Sequence, residues 1–194
     1  MRGLALLLVL LSSTTKGMGM VLGHRAEYHP NGVKKRSKHV TYDSEGVMTS
    51  SLFQEIADGR QEPSNPESEG LLYQDAQVAA FRPLRPASRA HVLVVPRVWV
   101  KTADDLRADD LDLVLKMKAV GEQLVPPGPN TIFCFHRGGW NSVDHLHLHC
   151  INTRQQTFES IVKYPAFNTP WCVQLDAVVE ALKPTAETQK IVEP

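Results

Sequence analysis

This sequence has no excess of charge of either sign, because its 194 residues include 21 Lys and Arg and 21 Asp and Glu. Proteins that coat nucleic acid or a membrane with their whole surface need a surplus of basic side chains, so that class of protein is excluded. Cysteine is scarce too. Cys134, Cys150 and Cys172 are too few and too far apart for a disulfide framework or a four-thiolate zinc site.

A long hydrophobic run is also absent. The most apolar stretch, residues 3–11, has about half the length that a membrane-spanning helix needs, so we expect no stable transmembrane span. A basic residue precedes this stretch and small polar residues follow it, which predicts a secretory signal peptide or a hydrophobic leader over residues 1–17. A working signal would direct the chain into the secretory pathway, although the sequence contains no Asn-x-Ser/Thr glycosylation site.

The remaining sequence divides into an arm and one domain. Residues 18–47 are polar, aperiodic and rich in basic side chains, and we interpret them as a flexible basic arm. Basic residues without interleaved aromatics indicate a solvated linker more than a nucleic-acid contact. The rest of the chain is slightly acidic and has the length of one domain, which we place at residues 48–155, with a C-terminal extension at 156–194 that packs on it.

Short apolar runs bounded by turn residues predict five strands, at residues 71–74, 78–81, 91–95, 131–135 and 143–151. Ser50 or Ser51 can cap a short helix that ends at Ala57. A capping box at Thr102 precedes the one long helix, in which Leu111, Val114, Leu115 and Leu124 have amphipathic spacing, and a final helix covers residues 175–183. Short strands with tight turns and few helices predict an α+β domain with an antiparallel sheet.

The segment Asn141 to Cys150 carries the chemistry. His145, His147 and His149 alternate with two leucines, so a strand would place three imidazoles on one face and the leucines on the other. At 8 histidines in 194 residues, about 0.013 such triplets are expected by chance. Three core or solvated histidines, or a tri-histidine metal site, are alternatives, since paired histidines on a strand do bind zinc.

Phosphoryl transfer explains the triplet best. Imidazole titrates near neutrality, so one histidine can attack phosphorus while its neighbours hold its tautomer and donate hydrogen bonds to phosphoryl oxygens. Just upstream, Gly138 and Gly139 would let the backbone approach an anion, and Ser142 can offer its hydroxyl group to the same phosphate.

The run HLHLHC followed by Ile151 resembles the signature of the histidine triad (HIT) family of nucleotide hydrolases and transferases. SLFQEIADGR is similar to the opening helix of the Hint branch, and LLYQDAQVAAFRPLRPASRAHVLVVPRVWV to its next strands and Pro-rich loop. FHRGGWNSVDHLHLHC and the tail through Trp171 are most similar to the third type in this branch, whose members are adenosine phosphoramidases. The resemblance covers most of residues 50–183 and implies a five-stranded antiparallel sheet with two main helices.

The resemblance also implies roles for individual residues. His147 would be the nucleophile, His149 and His145 would orient it and bind phosphate, and His91 would be the distant member of a proton relay. The implied nucleotide-binding residues are two on the phosphate side and four in an apolar slot for the base: Ser142, Asn141, Leu52, Phe53, Ile56 and Leu84.

Two departures from the family pattern stand out. Pro83 occupies the position of an aspartate that commonly holds the ribose hydroxyl groups, and a proline side chain cannot accept a hydrogen bond. The Cys-x-x-Cys of zinc-binding relatives is Ser51 and Gln54 here, and Trp99 holds the position of the partner histidine. These substitutions argue against a structural zinc.

The resemblance implies a hydrolase that cleaves purine nucleoside phosphoramidates through a nucleotidyl-histidine intermediate, with no cofactor and no metal. A purine nucleotide is then the expected substrate and a homodimer the expected assembly, and a nucleic-acid partner is not expected. Two alternatives stay open: removal of 5′-adenylate from nucleic acid, suggested by the basic arm, and a nucleotide-binding scaffold with little activity, suggested by Pro83. Without a working signal, the expected location is the cytoplasm or nucleus, as for HIT relatives.

Overall fold

The computed structural model describes residues 39–45, 47–63, 65 and 70–184. The predicted leader and residues 18–38 of the predicted arm lie outside the described residues. Within the described part of the chain, no helix is long and apolar enough to cross a membrane.

Eight strands are described: β1 Val40–Tyr42, β2 Met48–Ser51, β3 Leu71–Gln74, β4 Val78–Phe81, β5 His91–Pro96, β6 Thr131–His136, β7 Leu148–Asn152 and β8 Cys172–Gln174. The α-helices among the described residues are α1 Leu52–Ala57, α2 Leu111–Leu124, α3 Phe158–Lys163 and α4 Leu175–Leu182. The predicted α+β class is therefore confirmed, and α2 and α4 are the two longest of these helices.

Six of the strands form one antiparallel sheet in the order β3-β4-β5-β7-β6-β8. The expected count of five strands was wrong by one, because Cys172–Gln174 pairs with the edge of β6. This strand is only three residues long, too short for its alternation to be recognised in the sequence. The segment after residue 155 thus supplies both an edge strand and, through α4, part of the core.

The two faces of the sheet are covered differently. On one face, Val92, Val94, Leu148 and Cys150 pack against the buried sides of α2 and α4. On the other face, residues of β4 and β5 pack under α1. A third cluster, which includes Ile151 and Tyr164, covers the same side of β6 and β7. The triad side chains belong to this second face, between the α1 cluster and Tyr164.

Helix α2 lies close to the strand that carries the triad. Its buried residues are Val114, Met117, Val120 and Gly121, whereas Leu115, predicted for the apolar face, is 42% exposed. A Cβ atom added at Gly121 would lie 2.7 Å from Cys150 Sγ, closer than real Cβ atoms approach. The glycine therefore sets how closely α2 approaches β7.

We expect Gly121→Ala to lower the free energy of unfolding by about 1–3 kcal/mol, because the added methyl group overpacks the interface with Cys150. Urea unfolding measures the change. Combining the substitution with Cys150→Ala removes the overlapping sulfur and should recover part of the loss relative to Cys150→Ala alone. Gly128→Ala is the matched control, since its added Cβ meets no atom within 4 Å. Equal stability of Gly121→Ala and wild type would contradict this packing.

Part of the predicted flexible arm is ordered. Val40–Tyr42 pairs with Met48–Ser51, and Val40, Tyr42 and Met48 bury Trp99 between them. Two apolar residues in a three-residue strand leave too weak a pattern to be read from the sequence. The predicted end of the flexible arm at residue 47 was therefore wrong, because ordered structure includes Val40–Tyr42.

The local predictions agree with the structure at most other points. Four of the predicted strands match observed strands within one residue, and the capping box of Thr102 and Asp105 forms at a 3₁₀ turn. Ser51 is the N-cap residue of α1, but its side chain makes no capping bond. The predicted strand at 143–151 was too long at its start, because the regular ladder begins only at Leu148.

Candidate active site

The three triad histidines share one side of their segment. His145, His147 and His149 are all buried, while Leu146 and Leu148 join the core cluster under α2 and α4. The predicted alternation is confirmed, although only His149 lies in the regular strand. The rings of His147 and His149 are 4.8 Å apart between centroids, and Phe53 packs its edge on His147 at 5.1 Å.

The tautomer of His147 is set by the chain itself. Its Nδ1 lies 2.6 Å from the carbonyl oxygen of His145, so Nδ1 must carry the hydrogen and donate it. A neutral imidazole has only one such hydrogen. The Nε2 atom of His147 therefore holds a free lone pair, which is the form that a nucleophile needs.

His149 presents the opposite group. The backbone N–H of Ala87 donates to His91 Nδ1 at 2.9 Å, so the hydrogen of His91 is on Nε2 and is donated to His149 Nδ1 at 3.0 Å. The hydrogen of His149 is then on Nε2, a buried atom that has no protein partner. The site thus pairs a lone pair on His147 with an N–H donor on His149.

The resemblance implies that His91 belongs to a proton relay, whereas its hydrogen bonds indicate that it orients the ring of His149. His91 Nδ1 accepts a hydrogen bond from the N–H of Ala87. An amide N–H keeps its proton at neutral pH, so no proton passes along this bond. The chain from Ala87 through His91 to His149 therefore fixes which way the His149 donor faces.

His145 has no nitrogen left for phosphate. Its Nε2 donates to the carbonyl oxygen of Pro96 at 2.8 Å, and its Nδ1 accepts from the Ser51 hydroxyl group at 2.8 Å. The phosphate-binding part of its predicted role is not supported by this geometry. Its contribution is positional, because its carbonyl group holds His147.

Three residues that lie against the triad were not recognised in the sequence. His136, at the end of β6, has its ring centroid 4.6 Å from that of His149 and 6.4 Å from that of His147. Tyr164 stacks on His136 at 5.1 Å and 22°, and also contacts the rings of His91 and His149. Lys163 ends α3 beside them. Each lies outside the alternating segment, so no local pattern marks it.

All five imidazoles are neutral at physiological pH. Burial is the main cause that lowers the pKa of His147 to about 4. The hydrogen bond to His145 raises this pKa, and the nearby Lys163 ammonium lowers it. Burial likewise lowers the pKa of His136 and of His145 to about 4, that of His91 to about 3, and that of His149 well below its ordinary value. The lone pair of His147 is therefore available at neutral pH.

The glycine loop does not present a free anion site. The N–H of Gly138 donates to the Asp104 carboxylate at 3.0 Å, and Arg137 pairs with the same carboxylate at 2.6 Å. The anion that Gly138 approaches is therefore the protein's own. Gly139 adopts a φ of +86°, which favours glycine at this turn.

The residues predicted for the phosphate side differ in environment. Ser142 is exposed next to the triad segment. Asn141 is buried, and its amide donates to Val143 O at 2.8 Å and to Asp144 Oδ1 at 3.0 Å, which shapes the loop before the triad.

The predicted base slot is partly assembled. Phe53 and Ile56 lie in one buried cluster with the partly buried Leu52 packed against it, and Phe53 also contacts His147. Leu84 is 58% exposed in the Pro-rich loop. Three of the four predicted residues therefore lie together beside His147.

Three histidines could hold a metal ion, but they are not the three of the tri-histidine site that the sequence suggests as an alternative. One ring nitrogen from each of His136, His147 and His149 lies within 4.8 Å of the others, and such a set can hold zinc. The structural-zinc positions of other relatives carry hydrogen bonds here. Ser51 bonds His145, and Trp99 Nε1–H donates to the carbonyl oxygen of Asp144 at 2.8 Å.

Comparison with known proteins assigns the chain to a family. A family model described as scavenger mRNA decapping enzyme C-term binding matches residues 50–163. The chain is 34% identical over 145 residues to the bifunctional adenosine 5′-phosphosulfate phosphorylase/adenylylsulfatase HINT4 of Arabidopsis thaliana, covering 72% of this chain and 95% of that protein. It is 28% identical over 149 residues to the adenosine 5′-monophosphoramidase HINT3 of Mus musculus, covering 74% and 87%.

Among solved structures, a HIT family hydrolase from Legionella pneumophila covers 61% of this chain and 100% of its own, with 27% identity and a TM-score of 0.47. The sheet and the hydrogen-bonded histidines define a histidine triad protein. The chain belongs to the HIT family, in its Hint-like branch, and is a nucleotide hydrolase of the HIT type.

Proposed function

We propose that the protein hydrolyses adenosine 5′-phosphoramidates, in which AMP is bonded to an amine, through a covalent AMP-His147 intermediate. The observation that carries the proposal is the pairing of a lone pair on His147 with an N–H donor on His149. A relative with 87% of its length matched is named an adenosine 5′-monophosphoramidase.

The reaction has two steps. His147 Nε2 attacks the α-phosphorus and the phosphorus–nitrogen bond breaks, which leaves AMP on the imidazole. Water then attacks the same phosphorus and frees His147. Over both steps the leaving nitrogen gains one proton and the phosphorus gains the hydroxyl group of water.

The surrounding residues stabilise the charge that develops on the phosphoryl oxygens. His149 Nε2–H is a buried donor whose direction is fixed by His91, so little reorganisation is needed when the oxygens become more negative. The Lys163 ammonium acts on the same histidines and adds positive potential. The purine would lie against Phe53 and Ile56, on the slot that the family resemblance implies.

A sulfate leaving group is the second candidate. The Arabidopsis relative is named an adenylylsulfatase, and its substrate carries an anion on the same α-phosphate. Lys163, at the edge of the site, is a cation that such an anion would favour. Attack by His147 would be unchanged, and only the departing group would differ.

The test is a substrate panel for the full chain: adenosine 5′-phosphoramidate, adenosine 5′-phosphosulfate and a 5′-adenylated oligonucleotide. We expect AMP release from the phosphoramidate, and acid quenching followed by peptide mass spectrometry should find AMP on His147. Turnover of the oligonucleotide alone would replace the proposal with removal of 5′-adenylate. Calorimetric binding of AMP without turnover of any substrate would favour the scaffold. The homodimer implied by the family stays a prediction.

A further inference from the structure

The rings of His136, His147 and His149 have the ligand type and the spacing of a zinc site. One ring nitrogen of each lies within 4.8 Å of the others, and all three side chains are buried. Neutral imidazole is a common ligand of zinc in proteins. Burial lowers the pKa of each ring, so protons do not compete with a metal ion for these nitrogens at neutral pH. We call these three rings the histidine cluster.

Two rings of the histidine cluster hold a lone pair that a metal ion can use. His147 donates its Nδ1 hydrogen to the carbonyl oxygen of His145 at 2.6 Å, so its Nε2 carries no hydrogen. His136 Nε2 lies 3.4 Å from the carbonyl oxygen of Lys163, which can only accept, so the hydrogen of this neutral ring is on Nε2 and its Nδ1 carries none. Both rings thus donate to a backbone carbonyl group, as metal-bound histidines do.

The third ring has the wrong tautomer for a metal ion. His149 Nδ1 is bonded to His91 at 3.0 Å, so only the buried Nε2, which has no protein partner, is left as a ligand. That atom carries a hydrogen, because the N–H of Ala87 holds His91 in the form that donates to His149. Moving the hydrogen of His149 to Nδ1 would set it against the Nε2–H of His91. Moving the hydrogen of His91 to Nδ1 would set it against the N–H of Ala87.

We propose that His91 is a positioning residue that excludes zinc from the histidine cluster, because it holds His149 in the tautomer with its hydrogen on Nε2. The cluster is then a latent zinc site, which opens when the hydrogen bond from His91 is removed. Zinc in the cluster would occupy the lone pair of His147, so its exclusion keeps that nitrogen free. Zinc binding needs no substrate, and its measurement is therefore independent of the proposed function.

The test is equilibrium dialysis of the full chain against zinc chloride at neutral pH, followed by elemental analysis. Wild type should bind zinc only weakly. His91→Phe keeps a ring but has no hydrogen to donate, so His149 can move its own hydrogen to Nδ1. This variant should bind one zinc ion about 10- to 100-fold more tightly than wild type, the range over which partners of metal-binding histidines change affinity. Adding His136→Ala should abolish the gain, because it removes one ligand.

A second variant leaves His91 and the histidine cluster intact. Ala87→Pro removes the N–H that fixes the tautomer of His91, which can then carry its hydrogen on Nδ1 and accept from His149. Zinc affinity should rise in this variant as well. Tyr164→Phe is the matched control, because Tyr164 packs its ring on His91 and His149 and takes no part in their hydrogen bonds. It should bind zinc as weakly as wild type.

Lys163 offers a competing cause, since its ammonium group disfavours further positive charge at these rings. A gain in zinc affinity in Lys163→Gln as large as that in His91→Phe would assign the exclusion to charge and overturn the proposal. Wild type that binds one zinc ion as tightly as His91→Phe would overturn it too. So would unchanged affinity in His91→Phe and Ala87→Pro when circular dichroism shows that both variants are folded.

Discussion

Replacing His147 with alanine or asparagine is expected to lower kcat on adenosine 5′-phosphoramidate by at least about 10³-fold, because either change removes the attacking nitrogen. The fold should survive, since the ring of His147 makes one hydrogen bond, to the backbone of its own segment. AMP release measured by chromatography gives the rate, and circular dichroism checks the fold.

Two controls sharpen this result. His39→Asn changes an exposed histidine with a φ of 58°, a conformation that asparagine tolerates, and should retain wild-type kcat. Calorimetric titration with AMP should show binding to His147→Ala within a few-fold of wild type. Turnover by His147→Ala at more than a tenth of the wild-type rate would rule out His147 as the nucleophile.

Acid should unfold this protein well before its carboxylates are protonated. The five buried histidines titrate near 6.5 in the unfolded chain, whereas burial lowers the folded pKa to about 4 for His147 and about 3 for His91. Between pH 6.5 and about 4 the unfolded state therefore binds more protons. The free energy of unfolding then falls with falling pH, by about 1.4 kcal/mol per pH unit for each fully titrating histidine.

Urea unfolding at pH 8, 7, 6 and 5 measures this dependence. Stability should be nearly constant from pH 8 to 7 and should fall steeply between pH 6.5 and 5. His136→Asn removes one buried imidazole and should make the fall shallower. A free energy of unfolding that is the same at pH 7 and pH 5 would show that these histidines are protonated without cost in the folded state.

The fold was largely predictable because its signals are local. Consecutive residues carry the apolar runs that predict β3, β4, β5 and β6 and the periodicity that predicts α2. The capping box of Thr102 likewise involves only four consecutive residues. The strands β1, β2 and β8 were missed because none of them contains a run of apolar residues, and each is defined by the strand with which it pairs. The exposure of Leu115 likewise depends on which side of α2 faces the sheet.

The site was predictable to the same extent. The alternation predicted that the three histidines share one side of the segment, and the family resemblance implied that His147 is the nucleophile, which stays a prediction. The tautomers of the rings followed only from their hydrogen bonds in space. Nothing in the sequence indicates that Ser51 bonds His145 across 94 residues, or that the N–H of Gly138 donates to Asp104. His136 reaches the triad because β6 pairs with β7, and Lys163 and Tyr164 reach it because the end of α3 lies beside His136.

The sequence by itself determined the side of the chain on which the histidines lie, the class of chemistry they serve and the sheet that carries them. Alternation and turn chemistry are fixed by covalent geometry, so they can be read from neighbouring residues. The tertiary structure decided which nitrogen is free on His147, which hydrogen is offered by His149 and which aromatic rings lie against the triad. Those properties depend on contacts between distant segments, and burial among them keeps the imidazoles neutral.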